Sequence, residues 1–172
     1  MQEYMLIMAK TPVVAREHRL PPEAYVGRRS IAFTSCVEQR QPILNEPEIV
    51  AAFVPLLGKA ADRYACAVPI YTFMPDHLHV LMIGTEEQSQ VKSAMDMFKT
   101  LSGRWLYYRW SRCRWQKGYW DHVVRDFEGW RSQAKYIAGN PCRAGLCEDV
   151  FEWPFTGSIG SDIRDVLSDV FF

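Results

Sequence analysis

Two apolar segments joined by one tight turn constrain the fold of this chain most strongly. Residues 65–73 and 77–83 are rich in aliphatic and aromatic side chains, and only the turn in "MPDH" separates them. Strands with so short a connection pair antiparallel, because parallel neighbours need a crossover of about a dozen residues or more. The chain therefore contains a β-hairpin, and its other segments must be arranged around that hairpin.

The remaining segments alternate between strand and helix patterns. Residues 30–38 and 118–125 predict two further strands. Helical spacing of apolar residues predicts helices over 46–64, 87–112 and 127–140, and a last amphipathic turn or two near 163–171. The order β-α-β-β-α-β-α predicts an α+β fold, a ferredoxin-like sandwich in which helices pack on a central antiparallel sheet.

Prolines and short polar residues predict where these helices begin and end. We expect Asn45 to cap the first helix and Pro55 to kink or break it. Asp126 is expected to cap the third helix, and Pro141 to stop it.

Length and composition indicate one domain. The chain has 172 residues, of which 48% are hydrophobic, and its net charge is zero, so it can bury a sizeable core. We expect a single domain over 1–172, with a basic arm at 1–29 and a tail at 159–172. Five cysteines form no CxxC pair, and no apolar run has the length of a signal or membrane segment. The sequence predicts a cytoplasmic protein with reduced thiols and no membrane partner.

Two histidines interrupt the second strand of the hairpin. His77 and His79 are two residues apart, so both imidazoles point to the same face of the strand. Neutral imidazole is the commonest metal ligand among side chains, which makes the pair a candidate metal site. The alternative is two partly buried histidines that hydrogen-bond to polar neighbours, and the short motif alone leaves both interpretations open.

The third predicted helix carries a second pair of chemical groups. Tyr136 and Asn140 are four residues apart and therefore lie one turn from each other on one helix face. Tyr136 is a candidate nucleophile, and the amide oxygen of Asn140 is a candidate metal ligand. Alternatively, Tyr136 is a core aromatic residue and Asn140 simply ends the helix.

Residues 97–120 combine cations with aromatic rings. No Asp or Glu occurs between Asp96 and Asp121, and seven tryptophans and tyrosines are interspersed among the cations. Cations bind phosphates and flat rings stack on unpaired bases, so the segment predicts binding of single-stranded or hairpin DNA or RNA. An amphipathic helix with a solvated basic face is the alternative. The cations are Lys99, Arg104, Arg109, Arg112, Arg114 and Lys117.

His122 is the weakest candidate. On its strand it shares a face with Trp120 and Val124. We interpret it as a structural histidine, with a role in supporting the metal ligands as the alternative.

Four motifs occur in the order "FMPDHLHVLM", "WQKGYWDHVVRD", "YIAGNPCRAGL" and "EWPF". This order resembles that of the REP-associated tyrosine transposases, a group within the HUH class of single-strand transposases, and the resemblance covers about residues 20–158. Asp76 stands where Asn is commoner in that group, and Cys142 stands where Val is usual. Neither departure removes a candidate catalytic group.

The resemblance implies a role for each matched residue. His77, His79 and Asn140 are the implied ligands of Mg²⁺ or Mn²⁺, and Tyr136 is the implied catalytic tyrosine. Arg143, in the last of the long motifs, joins the residues expected to bind DNA. The implied partner is single-stranded or hairpin DNA, and a homodimer remains open.

The expected function is therefore that of an enzyme. The resemblance implies a metal-dependent single-stranded DNA endonuclease and strand transferase that acts on hairpin-forming palindromes through a 5′-phosphotyrosine. The alternative is a catalytically inactive protein that binds DNA hairpins on the same scaffold.

Overall fold

A computed structural model of the chain describes residues 20–111, 113–125 and 127–171, with the backbone alone at 127–128 and 169–171. The predicted basic arm at 1–29 lies outside the described residues up to position 19, as does the predicted cap Asp126. Residues 22–25 form a short turn of 3-10 helix, in which Tyr25 is buried. The hydroxyl of Tyr25 donates to the Asp121 carboxylate, so the last part of the arm belongs to the folded domain.

Five strands form one antiparallel sheet with the order β4-β1-β3-β2-β5. The predicted hairpin is its centre, and the four predicted strands are all present. The fifth strand, near the C-terminus, was not predicted. The strands are β1 (Ser30–Cys36), β2 (Cys66–Met74), β3 (His77–Gly84), β4 (Trp120–Val124) and β5 (Thr156–Ile159).

Helices cover both faces of the sheet, so the predicted α+β ferredoxin-like sandwich is confirmed. The helices α1 and α2 pack on one face, and α3 and α5 pack on the other. No described helix has the combination of length and apolar character that crossing a membrane requires. The helices are α1 (Pro47–Arg63), α2 (Val91–Arg109), α3 (Phe127–Ala138), α4 (Asn140–Arg143) and α5 (Ile163–Phe171).

Three expectations about helix ends were wrong. The residue that caps α1 is Glu46, not Asn45. The helix begins at Pro47, because the first N–H groups of a helix have no partner within it and proline, which lacks an N–H, fits there. The expected break at Pro55 is absent, because the same helix runs through it to Arg63. Pro141 does not stop a helix but lies in the first turn of α4, which follows α3 after Gly139.

The larger core lies between the sheet and the α1–α2 layer, and Phe53 is at its centre. Phe53 is fully buried, and its ring contacts four other aromatic rings at centroid distances of 5.8–6.2 Å. These partners come from β2, from α2 and from the segment after α2, so one side chain connects three parts of the chain. They are Phe73, Phe98, Trp105 and Trp115.

The smaller core fixes α3 and α5 on the opposite face. Small side chains of α3 let the helix approach the sheet closely, and Leu167 of α5 is buried beside them. The sheet contributes one buried residue from each of the strands β1, β2, β3 and β4. The buried members are Ala32, Ile70, Leu81, Val124, Ala134, Ile137, Ala138 and Leu167.

Replacing Phe53 by alanine should destabilise the protein by about 3–5 kcal/mol, because a large ring is removed from a fully packed site. Urea unfolding followed by circular dichroism measures this loss. The matched control is Phe151→Ala at a position that is 45% exposed, where we expect a change of at most about 1 kcal/mol. Equal losses in both variants would contradict the central role of Phe53.

Candidate active site

The two histidines of β3 face the layer that contains α3. Leu78, Val80 and Met82, on the other face of β3, are buried in the larger core, so the alternation of the strand fixes the direction of both imidazoles. His79 is buried and His77 is partly exposed. The predicted shared face of the pair is confirmed.

Hydrogen bonds orient both rings. The Nδ1 atom of His77 is 2.6 Å from Oδ1 of Asp76, and Nδ1 of His79 is 2.8 Å from Oγ1 of Thr34. A carboxylate only accepts hydrogen bonds, so Nδ1 of His77 carries the proton. In neutral His77 the Nε2 atom then presents a lone pair to Nε2 of His79, 3.0 Å away.

This spacing fits a divalent cation. Two ligand atoms that bind one ion at right angles, each about 2.1 Å from it, lie about 3.0 Å from each other. The two Nε2 atoms have that separation, and they are the ring nitrogens left for an ion because Asp76 and Thr34 engage both Nδ1 atoms. The described residues contain no group of three or more His, Cys, Asp or Glu side chains at metal-binding distance. A third protein ligand would therefore be an amide or a hydroxyl oxygen.

The charge states around the pair suit metal binding. Burial, together with the nearby charges of His77, Arg143 and Arg40, lowers the pKa of His79 well below its usual value. His79 is therefore neutral at physiological pH, as a metal ligand must be. Burial opposes ionisation of Asp76, but the hydrogen bond with His77 and the charges of His77 and Arg40 outweigh it and lower the pKa of Asp76.

Tyr136 of α3 lies beside the histidines. Its ring centroid is 5.8 Å from that of His79, with an angle of 78° between the rings, and the residue is 38% exposed. The interpretation of Tyr136 as a core aromatic residue is therefore wrong. A single chain brings the tyrosine to the histidine pair.

The turn after α3 places two further groups at Tyr136. The amide nitrogen of Asn140 donates to the carbonyl oxygen of Tyr136 over 3.0 Å, which leaves the amide oxygen of Asn140 for another partner. The guanidinium of Arg143 also donates to that carbonyl and lies 4.5 Å from the centroid of the Tyr136 ring. Asn140 and Arg143 thus hold the end of α3.

His122 lies on the same face of the sheet but contacts different residues. Its ring is 4.7 Å from that of Trp120 and hydrogen-bonds the side chain of Gln133, while burial lowers its pKa against the effects of Gln133 and Asp121. An open groove of about 500 Å³ separates β4 from α3 and leads to Tyr136. His122 lines this groove, as do Val123, Val124, Arg125, Gly129, Ser132, Gln133 and Tyr136.

Comparison with known proteins agrees with this arrangement. Residues 26–138, more than half of the chain, match the family model described as "Transposase IS200 like". The chain belongs to this family.

Two REP-associated tyrosine transposases are similar to this IS200-like transposase in sequence. One, from Haemophilus influenzae, is 27% identical over 125 residues, which are 66% of this chain and 68% of that protein. The other, from Escherichia coli K12, is 23% identical over 86 residues, half of each chain. A solved REP-associated tyrosine transposase bound to a REP hairpin shares the fold, with a TM-score of 0.71, 20% identity, and coverage of 91% of this chain and 88% of that one.

Most of the predicted DNA-binding cations of this IS200-like transposase are exposed. The segment after α2 lies at the histidine end of the sheet, because the amide of Gln116 donates to the carbonyl of Cys36, and Cys36 is paired with His77. Arg114 lies 3.4 Å from Glu38 there. Arg112 lies outside the described residues. The exposed members are Arg104, Arg109, Arg114, Lys117 and Arg143.

Lys99 differs from the other cations. Its ammonium donates to the carbonyl oxygens of Gln116 and Gly118, so it holds the segment that follows α2 rather than projecting from the surface. This arrangement favours a structural role for Lys99.

Sequence reasoning missed Thr34 and Arg40 as residues of the site. Thr34 reaches His79 only because β1 pairs with β3 in one register, which no local pattern reveals. Arg40 lies 3.4 Å from the second carboxylate oxygen of Asp76. The only feature of the sequence that could have linked Arg40 to the site is its position shortly after β1.

The lowered pKa of Asp76 makes a pH-dependent contribution to stability. A carboxyl with a depressed pKa stabilises the fold above its unfolded pKa, about 3.9, and that contribution disappears as the pH falls through the folded pKa. Asp76→Asn should therefore lower the free energy of unfolding at pH 7, and the deficit should shrink at pH 3.

Urea unfolding in the presence of EDTA at both pH values measures this difference. Asp62→Asn, at an exposed position of α1, is the control and should show little deficit at either pH. A deficit for Asp76→Asn that is as large at pH 3 as at pH 7 would contradict the assignment.

Proposed function

We propose that this IS200-like transposase cuts and rejoins single-stranded DNA at hairpin-forming palindromes, with Tyr136 as the nucleophile. The observation that carries the proposal is the position of Tyr136, 5.8 Å from the ring of His79, whose Nε2 lies 3.0 Å from that of His77. A partly exposed phenol beside a pair of oriented imidazoles suits phosphoryl transfer better than a structural role.

The ligands for a cation in this proposal are His77, His79 and the amide oxygen of Asn140. When bound, Mg²⁺ or Mn²⁺ would neutralise charge on the scissile phosphate. Asp76 and Thr34 hold the imidazoles in orientation, as the polar partners of ligating histidines generally do. Burial keeps His79 neutral and therefore ready to bind.

Tyr136 carries the covalent step. Its phenolic oxygen loses a proton and attacks the phosphorus of the scissile phosphodiester, and the bond from phosphorus to the 3′ oxygen breaks. The products are a 5′-phosphotyrosine and a free 3′-hydroxyl, which takes up a proton. The new phosphodiester keeps the energy of the old one, so a 3′-hydroxyl can reverse the attack and rejoin the strand without a nucleotide cofactor.

Arg143 has two functions in this mechanism. Its guanidinium lies 4.5 Å from the Tyr136 ring and brings a positive charge next to the place where the phosphate must bind. Its hydrogen bond to the Tyr136 carbonyl also fixes the end of α3. Arg143 therefore belongs both to the DNA-binding set and to the support of the nucleophile.

A hairpin substrate is supported by the cations and by the relative of known structure. Four exposed cations occur on α2 or the segment after it, and that segment lies at the histidine end of the sheet, where they would contact phosphates. The solved REP-associated transposase with the same fold was bound to a REP hairpin. One chain supplies His77, His79, Tyr136 and Asn140, so we infer that the reaction needs no second copy.

Tyr136→Phe should abolish formation of the covalent protein–DNA adduct, because the attacking oxygen is removed. A labelled palindromic oligonucleotide with Mn²⁺, analysed on a denaturing gel, measures the adduct. Tyr64→Phe, at the opposite end of the sheet, is the matched control and should form the adduct at the rate of the unaltered protein. An adduct in the Tyr136→Phe variant would show that the mechanism is wrong.

His77→Ala should abolish cleavage and leave hairpin affinity within about threefold, because cations rather than the metal site supply most of the affinity. A gel shift in EDTA and a nicking assay in Mn²⁺ measure the two properties separately. The double variant Arg114→Ala, Lys117→Ala should show the converse, with weaker binding and a smaller dependence of affinity on salt. Parallel loss of binding and cleavage in His77→Ala would contradict this division.

A further inference from the structure

Two cysteines face each other in the turn that follows α3, the helix of Tyr136. The Sγ atoms of Cys142 and Cys147 are 3.1 Å apart, and both residues are partly exposed. The other cysteines are at separate positions, with Cys36 and Cys66 buried and Cys113 partly exposed. Two thiols this close need little movement to bond, since a disulfide has a sulfur–sulfur distance of about 2.05 Å.

A closed turn holds the two sulfurs in place. The amides of Ala144, Gly145 and Leu146 donate to the carbonyls of Asn140, Cys142 and Pro141, respectively, over 2.9–3.0 Å. Gly145 has a φ of +72°, the left-handed conformation that reverses the chain and is easy only for glycine. The folded backbone of residues 140–147 therefore brings the two cysteines close together.

The same turn carries the groups that engage Tyr136. Asn140 and Arg143, on either side of Cys142, both donate to the Tyr136 carbonyl. A bond at Cys142 acts on the backbone between these two residues. A disulfide joins the two ends of this turn, so it restricts the positions that the backbone around Asn140 and Arg143 can take.

We propose that Cys142 and Cys147 form a reversible disulfide when the protein meets a peroxide, and that this bond controls the turn that supports Tyr136. The two thiols lose two hydrogen atoms, and one hydrogen peroxide is reduced to two water molecules. A small dithiol reverses the reaction by thiol–disulfide exchange. The effect on strand cleavage rests on the function proposed above, whereas the disulfide does not.

The environment of Cys147 opposes ionisation of its thiol. Burial, the facing Cys142 thiol and the carboxylates of Glu152 and Asp149 raise the pKa of Cys147 to about 12. Thiolates react with peroxides and thiols do so poorly. Peroxide oxidises one thiol of the pair to a sulfenic acid, and the other thiol displaces water from it to complete the disulfide.

Mass spectrometry of the full chain tests the disulfide. After hydrogen peroxide treatment we expect the mass to fall by two hydrogen atoms, three of the five thiols to be alkylated in denaturant, and a peptide that links residues 142 and 147. Dithiothreitol should restore all five. The Cys113→Ser control should behave in the same way apart from its missing thiol, whereas Cys147→Ser, which lacks one partner of the pair, should give no linked peptide. Absence of the linked peptide would overturn the proposal.

Nicking assays test the consequence for Tyr136. A shift of about 1 Å in a catalytic group costs up to about a hundredfold in rate, so we expect the oxidised protein to cleave a palindromic oligonucleotide at least tenfold more slowly. Cys142→Ser, treated with the same peroxide, should keep its rate. Equal rates in the oxidised and reduced proteins would overturn the control of Tyr136. If no form cleaves DNA while the linked peptide is present, the proposed function fails and the disulfide stands.

Discussion

The alternation of β3 is the constraint on which the site depends. Each residue of a strand points to the opposite face from its neighbour, so the even positions Leu78, Val80 and Met82 enter the larger core and the odd positions His77 and His79 face α3. Turning the histidines away would place three large apolar side chains in contact with the polar site, at about 1.5–3 kcal/mol for each. The packing of Leu78, Val80 and Met82 in the larger core therefore keeps both imidazoles on the opposite face of the sheet.

The helix that carries Tyr136 is positioned by a second, smaller core. Ala134, Ile137 and Ala138 are buried against the sheet, and the small alanines let the backbone of α3 come close to β3. Tyr136 is adjacent to Ile137 in the chain and therefore lies at the boundary between this core and solvent. At this boundary between the smaller core and solvent, α3 faces the histidines of β3, so the ring of Tyr136 contacts His79.

The fold class and the central residues of the site, His77, His79 and Tyr136, could be predicted because they depend on local sequence patterns. The period of two in β3 gave the shared face of His77 and His79. The helical period gave the place of Tyr136 on α3, but α3 ends at Ala138 and Asn140 begins α4. Thr34, by contrast, depends on strand register, and Pro55 on tertiary packing that overrides a local helix breaker. Strand β5 (Thr156–Ile159) has too few β-forming residues for its pairing with β2 to be read from four positions.

The distribution of cations shows a second limit of sequence patterns. A run of basic residues without acids predicts a surface for phosphates, but a cation can reach a phosphate only if the protein leaves its donors unused. The ammonium group of Lys99 donates two hydrogen bonds, to the carbonyl oxygens of Gln116 and Gly118. These bonds hold the segment that carries Arg114 and Lys117 at the histidine end of the sheet. In a chain of zero net charge, the proposed affinity for DNA depends on such placement rather than on overall charge. A lysine inside the fold thus decides where the exposed cations act.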